Sequence, residues 1–212
     1  MAGPFAASSA THFSMKKYQD HFFKKAKADN YPARSVYKLK EMDKKFKLLS
    51  PGQNVLDLGA APGSWTLYLA TGVGAQGQVL AVDLQLPRVT FPEQVSFVQG
   101  DVFDDASPAG QKIRDKAPFD LVVSDMAPKT TGIKFTDQAR SFNLAMEALD
   151  IARLSLKLNG GFVVKILEGP DIQELQKEMK KSFHKVKHFK PRSSRAESRE
   201  IFLLGLAFRL EE

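Results

Sequence analysis

Short apolar runs alternating with helical patterns constrain this chain more than any other feature. Asn54–Leu58 (NVLDL), Gln78–Asp83 (QVLAVD), Val95–Val98, Phe119–Ser124 (FDLVVS), Gly161–Leu167 (GFVVKIL), His184–Phe189 and Glu200–Phe208 (EIFLLGLAF) all read as strands. Helices are predicted over 16–28, 35–46, 64–70, 137–158 and 171–183, with 105–116 helical or loop. The 137–158 helix should close at Asn159-Gly160-Gly161. Runs this rich in Val, Ile and Leu, joined by helices, form a mostly parallel sheet covered on both faces. The predicted class is therefore α/β with seven strands. The stretch 190–199 is not helical, so the last two strands should pair antiparallel at one edge.

A parallel sheet places its ligand outside the carboxyl ends of the strands. The residues at the end of each run are thus the candidate site: Gly59-Ala-Ala-Pro-Gly63, then Asp83, Asp101, Asp125, Lys165 and Glu168. The loop DLGAAPGSW comes after a strand and opens a helix, but it is neither GxGxxG nor a Walker A sequence. Pro62 removes a backbone donor where a pyrophosphate would need amides. Asp83, 20 residues beyond Gly63, stands where an acid accepts from ribose hydroxyls, and Asp101 could accept from an adenine amino group. Adenosine with a cationic centre fits these cues, which points to S-adenosylmethionine. NAD does not fit, because Asp57, Asp83 and Asp125 would repel its phosphates. The plainer alternative is a tight turn at Gly59 and Gly63 with the acids serving as helix caps.

Charge adds a partner. Of the 212 residues, 1–50 hold 11 Lys/Arg against 4 Asp/Glu, and 177–199 hold 9 against 2, while the remainder is acidic. Two basic segments on an acidic body are the footprint of a polyanion, either nucleic acid or a membrane surface. The segment 16–27 could lie on a membrane, or Tyr18, Phe22 and Phe23 could dock it on the body. No apolar run approaches the roughly 20 residues that span a bilayer. The absence of cysteine excludes disulfides, a thiol nucleophile and Cys-ligated zinc. His12, His21, His184 and His188 lack metal-ligand spacing, so no metal is expected. Phe142, Met146 and Leu149 repeat at helical spacing and read as core.

Lys165 lies in a strand that should be dry, and a lysine there needs a partner. Asp125, closing the neighbouring strand, is the candidate. Burial lowers a lysine's pKa and a carboxylate raises it, so the pair is either a structural ion pair or a proton acceptor poised near neutrality.

DLGAAPGSW, SDMAP (Ser124–Pro128), VVKIL around Lys165, RSSRAESREIFLL (Arg192–Leu204) and ARSVYKLKEMDKKFKLLSPG (Ala33–Gly52) together resemble the FtsJ/RrmJ family of S-adenosylmethionine-dependent ribose 2′-O-methyltransferases. The likeness runs from about Phe13 to Phe208. It implies a Rossmann-like class I methyltransferase fold. It also implies a Lys-Asp-Lys-Glu tetrad at Lys38, Asp125, Lys165 and Glu200, with Lys165 as proton acceptor. Cofactor contacts would fall on Gly63, Trp65, Asp83, Asp101 and Asp125. Trp65 on its own residues could equally be packing. The resemblance further implies RNA as partner, with a uridine of large-subunit ribosomal RNA within a ribosomal particle as the favoured target. Transfer RNA, or a non-catalytic assembly factor of the same fold, is the alternative. DNA is not expected, because it lacks a 2′-hydroxyl; nor is a membrane. A monomer in the cytoplasm is expected, with the mitochondrial matrix second. The expected organisation is a basic helical extension over 1–50, with 1–14 flexible, and then a methyltransferase domain over 51–212.

Overall fold

The computed structural model describes residues 21–195 and 197–210. The expectations for residues 1–14, His12 and Tyr18 lie outside this range. The elements run α1 (21–28), α2 (Val36–Phe46), β1 (Asn54–Leu58), α3 (Ser64–Val73), β2 (Gln78–Asp83), β3 (Val95–Gln99) and α4 (Pro108–Lys116). Then come β4 (Phe119–Ser124), α5 (Lys134–Ser155), β5 (Leu156–Leu167), α6 (Ile172–Ser182), β6 (Phe183–Phe189) and β7 (Glu200–Phe208). The seven strands form one sheet in the order β3-β2-β1-β4-β5-β7-β6. Strands β1 to β5 pair in parallel, and β7 runs antiparallel between β5 and β6, making the antiparallel edge the sequence called for. The reversed strand itself sits one place in from the rim.

Alternation along the strands sorts side chains to two faces. One face buries Leu56, Val122, Phe162, Val164 and Leu203 against Ala148 and Leu149 of α5 and Leu175 and Met179 of α6. The other buries Val55, Leu121, Val123, Val163 and Phe202 against Leu39 and Met42 of α2 and Trp65, Leu69 and Val73 of α3. Helix α2 therefore packs into the same core as the sheet. In front of it, α1 sets Ala26 and the half-buried Phe22 against Val36, Tyr37 and Tyr68, with the Phe22 and Tyr37 rings 5.1 Å apart. Phe23 points to solvent. Of the two aromatics expected at this face that are described, Phe22 docks and Phe23 does not.

One boundary differs from the sequence reading. Helix α5 stops at Ser155, not at the Asn-Gly-Gly segment, and β5 begins at Leu156. Leu156 is buried and pairs with Phe119, so the sheet takes it before the glycines are reached. The glycine signal marks an irregularity inside the strand instead. Asn159 has φ 66°, and the pairing register with β4 shifts between Phe119 and Leu121.

Candidate active site

The site is assembled by alternation. In β4, Leu121 and Val123 face the α2/α3 side, so Asp125, just past the strand, continues on that side. In β5, Val163 and then Lys165 do the same. In β7, Phe202 faces this side and so does Glu200, two residues earlier. Because β7 is antiparallel, its first residue reaches the end where β4 and β5 finish: Lys165 pairs with Phe202, and Glu200 with Leu167. Helix α2 crosses this end and supplies Lys38.

The four side chains make one connected cluster. Lys165, 7 % exposed, places Nζ 2.8 Å from Asp125 Oδ1 and donates a hydrogen bond to the Asp125 carbonyl oxygen. The Oδ1 contact is an ion pair that falls outside hydrogen-bond geometry. The same Nζ lies 3.9 Å from Glu200 Oε1. Glu200 Oε2 accepts a charge-assisted bond from Lys38 Nζ and a second bond from Ser198 Oγ at 3.2 Å. Lys38 also lies over the Phe202 ring, 5.8 Å from its centroid. Burial pushes the Glu200 carboxyl up, but Lys38 and Lys165, with hydrogen bonds from Lys38 and Ser198, outweigh it. Its pKa ends below the usual carboxylate value, and the group is an anion at neutral pH.

Beside the cluster lies a cavity of about 450 Å³. Asp83, Asp101 and Asp125 line it, with Gly59 and Ala61 from the first loop and Met126 to Lys129 after β4. Its volume is within the roughly 300–1,000 Å³ typical of small-molecule sites. Asp125 is the bridge: it walls the cavity and touches Lys165, which is not itself part of the lining. Asp83 is held by its own loops, accepting from the Ala61 and Gln85 amides at 2.8 Å each. Asp101 accepts from the Phe103 amide at 3.0 Å. Each of these aspartates retains lone pairs for a ligand. Gly59, at φ +80°, is needed for close approach: a Cβ there would stand 2.6 Å from Met126 Cγ.

Two predicted cofactor residues sit elsewhere. Gly63 is the N-cap of α3 at φ 112°, where a Cβ would meet Val89 at 2.6 Å, so it packs the loop after β2 against the helix. Trp65 is 3 % exposed, stacks toward Phe202 at 5.7 Å, and donates Nε1–H to the Ser35 carbonyl oxygen at 3.0 Å. Both lie outside the cavity lining. Trp65 instead ties the start of α2, and hence Lys38, to α3.

Sequence reasoning misses two participants, Ser198 and Glu41, and names a third, Asp57, only as a charge that would repel phosphates. Ser198 braces Glu200, and its signal is local, a serine two residues before an acid. Glu41 accepts from two amides of the 190–199 loop, and nothing in the sequence announces it. Asp57 is fully buried in β1. Its Oδ2 accepts from Thr66 Oγ1 at 2.7 Å and its Oδ1 has no partner among the described residues. Burial, against the Thr66 bond and with help from Asp125 and Asp83, pushes its pKa up to about 7. Among the described residues no cluster of His, Cys, Asp and Glu is arranged to hold a metal ion.

Known proteins resemble this chain in sequence and fold. Residues 31–208 match the family described as FtsJ-like methyltransferase. A protein of Oleidesulfovibrio alaskensis named ribosomal RNA large subunit methyltransferase E is 57% identical over 195 residues, covering 92% of this chain and 94% of its own. One of Bdellovibrio bacteriovorus with the same name is 51% identical over 190 residues, covering 89% and 96%. A crystal structure of a ribosomal RNA methyltransferase from Plasmodium falciparum superposes with a TM-score of 0.74 at 26% identity, covering 86% of this chain and 100% of that one. A Clostridium thermocellum structure at 18% identity and TM-score 0.55 shares the fold. A family match across most of the chain, relatives above half identity and a strand-end cluster of two lysines and two acids lead to one assignment: the chain belongs to the FtsJ-like methyltransferases.

Proposed function

We propose that this chain transfers a methyl group from S-adenosylmethionine to a ribose 2′-hydroxyl of large-subunit ribosomal RNA. The supporting observation is Lys165 Nζ, held 2.8 Å from Asp125 Oδ1 and 3.9 Å from Glu200 Oε1, next to a cavity lined by three aspartates. S-adenosylmethionine supplies an activated methyl group on a sulfonium centre. Carboxylates at the cavity wall suit that positive charge, and the lone pairs of Asp83 and Asp101 suit ribose hydroxyls and an adenine amino group. Gly59 lets the first loop approach Met126 closely enough to shape the wall.

A ribose hydroxyl is a weak acid and a weak nucleophile, so a positioned base accelerates its attack. Lys165, once deprotonated, would accept the hydroxyl proton as the oxygen bonds the methyl carbon and the carbon–sulfur bond breaks, its electron pair leaving with the sulfur as a neutral thioether. Asp125 orients the amine from the cavity side. Glu200, anionic and braced by Lys38 and Ser198, lies 3.9 Å from the same amine and stabilises the ammonium that forms. Much of the acceleration comes from aligning two bound substrates, an effect with a ceiling of about 7–11 kcal/mol. The basic segments at α1–α2 and 185–199 track the RNA backbone, and RNA is chosen over DNA because it alone carries the hydroxyl.

The deciding experiment supplies this protein and labelled methyl donor to large ribosomal particles from cells lacking it and maps the product. One new ribose 2′-O-methyl group in large-subunit RNA is expected. Label on a base, or on transfer RNA alone, would overturn the assignment.

A further inference from the structure

A groove lined by many basic side chains also holds two carboxylates, Asp29, which accepts from the Tyr37 hydroxyl, and Glu41. The groove between α1, α2 and the end of β6 is walled by Lys40, Lys44, Lys45, Lys190 and Arg192, and Glu41 is among them. A negative charge there weakens what the groove does for a polyanion, so its presence asks for another use. Glu41 Oε2 accepts from the Arg192 amide and Oε1 from the Ser193 amide, both at 2.8 Å, across about 150 residues of chain. Those amides open the tight turn that begins the 190–199 loop, where Ser194 N–H donates to the Pro191 carbonyl. The turn also buries Ser193 and Ser194, whose hydroxyls have no hydrogen-bond partner among the described residues. Burying them costs free energy, so other contacts must hold the turn in place.

The far end of the same loop delivers Glu200. There the Glu168 amide donates to the Arg199 carbonyl, and Glu200 binds Lys38. Lys38 and Glu41 are three residues apart on α2, hence one turn apart on neighbouring surface. The loop is thus fastened to one helix at both ends, by Glu41 where it starts and by Lys38 where it finishes. We infer that Glu41 is a positioning residue for methyl transfer, clamping the loop on α2 so that Glu200 meets Lys38 and Lys165 in register. The inference rests on the proposed transferase activity.

The test compares Glu41→Ala, which removes both acceptors, with Glu41→Gln, which keeps one. Single-turnover methyl transfer at saturating RNA and donor should fall at least tenfold in Glu41→Ala and by a smaller factor in Glu41→Gln. Donor affinity by calorimetry should stay within twofold in both, which also certifies the fold. Hydrogen exchange of the Arg192 and Ser193 amides should quicken at least tenfold in Glu41→Ala. A transfer rate within twofold of wild type overturns the inference, whether or not exchange quickens. So does a slowed rate with unchanged exchange, since Glu41 would then act elsewhere. Tighter RNA binding in both variants at an unchanged rate overturns it too, because the carboxylate would matter only as a misplaced charge. A wild type that methylates no RNA refutes the functional reading itself, a result no Glu41 variant can imitate.

Discussion

Individual side chains carry the chemistry through their partners. Lys165 has two carboxylates and a carbonyl around one amine. Replacing it with alanine should lower methyl transfer by about 10²–10⁴, the range for a lost proton acceptor. Donor affinity should hold near wild type, because the cavity wall is Asp125 and not Lys165; a variant with near-normal turnover would remove Lys165 from its role. Asp83→Ala should do the reverse and weaken donor binding in a calorimeter. Asp57 makes a prediction about stability. Its carboxyl rises from the usual 3.8 to about 7 on folding, so the folded chain holds that proton more tightly than the unfolded chain. Its contribution is complete below about pH 4 and is lost as pH rises through about 7. Asp57→Asn cannot ionise. Its melting temperature relative to wild type should therefore climb between pH 4 and about pH 7 and level off above, and a gap independent of pH would contradict the buried acid.

Helices and strands show where local pattern suffices and where packing overrides it. Strands β1, β2, β4, β5 and β7 were legible because their runs are apolar enough to be buried on both faces, whereas β3 is only partly buried and β6, with its exposed lysines, was legible by position beside β7. Where α5 ends was not legible. Asn-Gly-Gly is a strong stop signal, but Leu156 gains more by entering the sheet beside Phe119 than by another helical turn. Gly205 makes the same point inside β7. A Cβ there would stand 2.6 Å from the Phe183 ring, which is itself packed against Phe162 and Phe208. Gly205→Ala should therefore destabilise by about 1–3 kcal/mol in denaturant unfolding, the usual cost of overpacking. No sequence rule reports that a neighbouring ring has claimed the space.

The molecule as a whole is an acidic body with a basic flank, and the fold brings its two basic segments together. Residues 25–45 and 188–192, remote in sequence, line one groove beside the end of the sheet where Lys38, Lys165 and Glu200 meet. RNA affinity should fall steeply with salt, as counterion release requires. Lys44→Ala and Lys190→Ala should each reduce the slope of log affinity against log salt by about one, whatever the RNA sequence. An affinity indifferent to salt would detach the groove from the substrate.

The order of strands and helices, the acids and the lysine at strand ends, and the net charge of each segment were all written in the chain, because burial and alternation act on neighbours in sequence. The reversed β7 carrying Glu200 back to Lys165, Trp65 turned into the core, and Glu41 closing on amides 151 and 152 residues away depended on folding. Those contacts join residues that no period relates, and they exist only once two faces of a sheet have chosen what to bury.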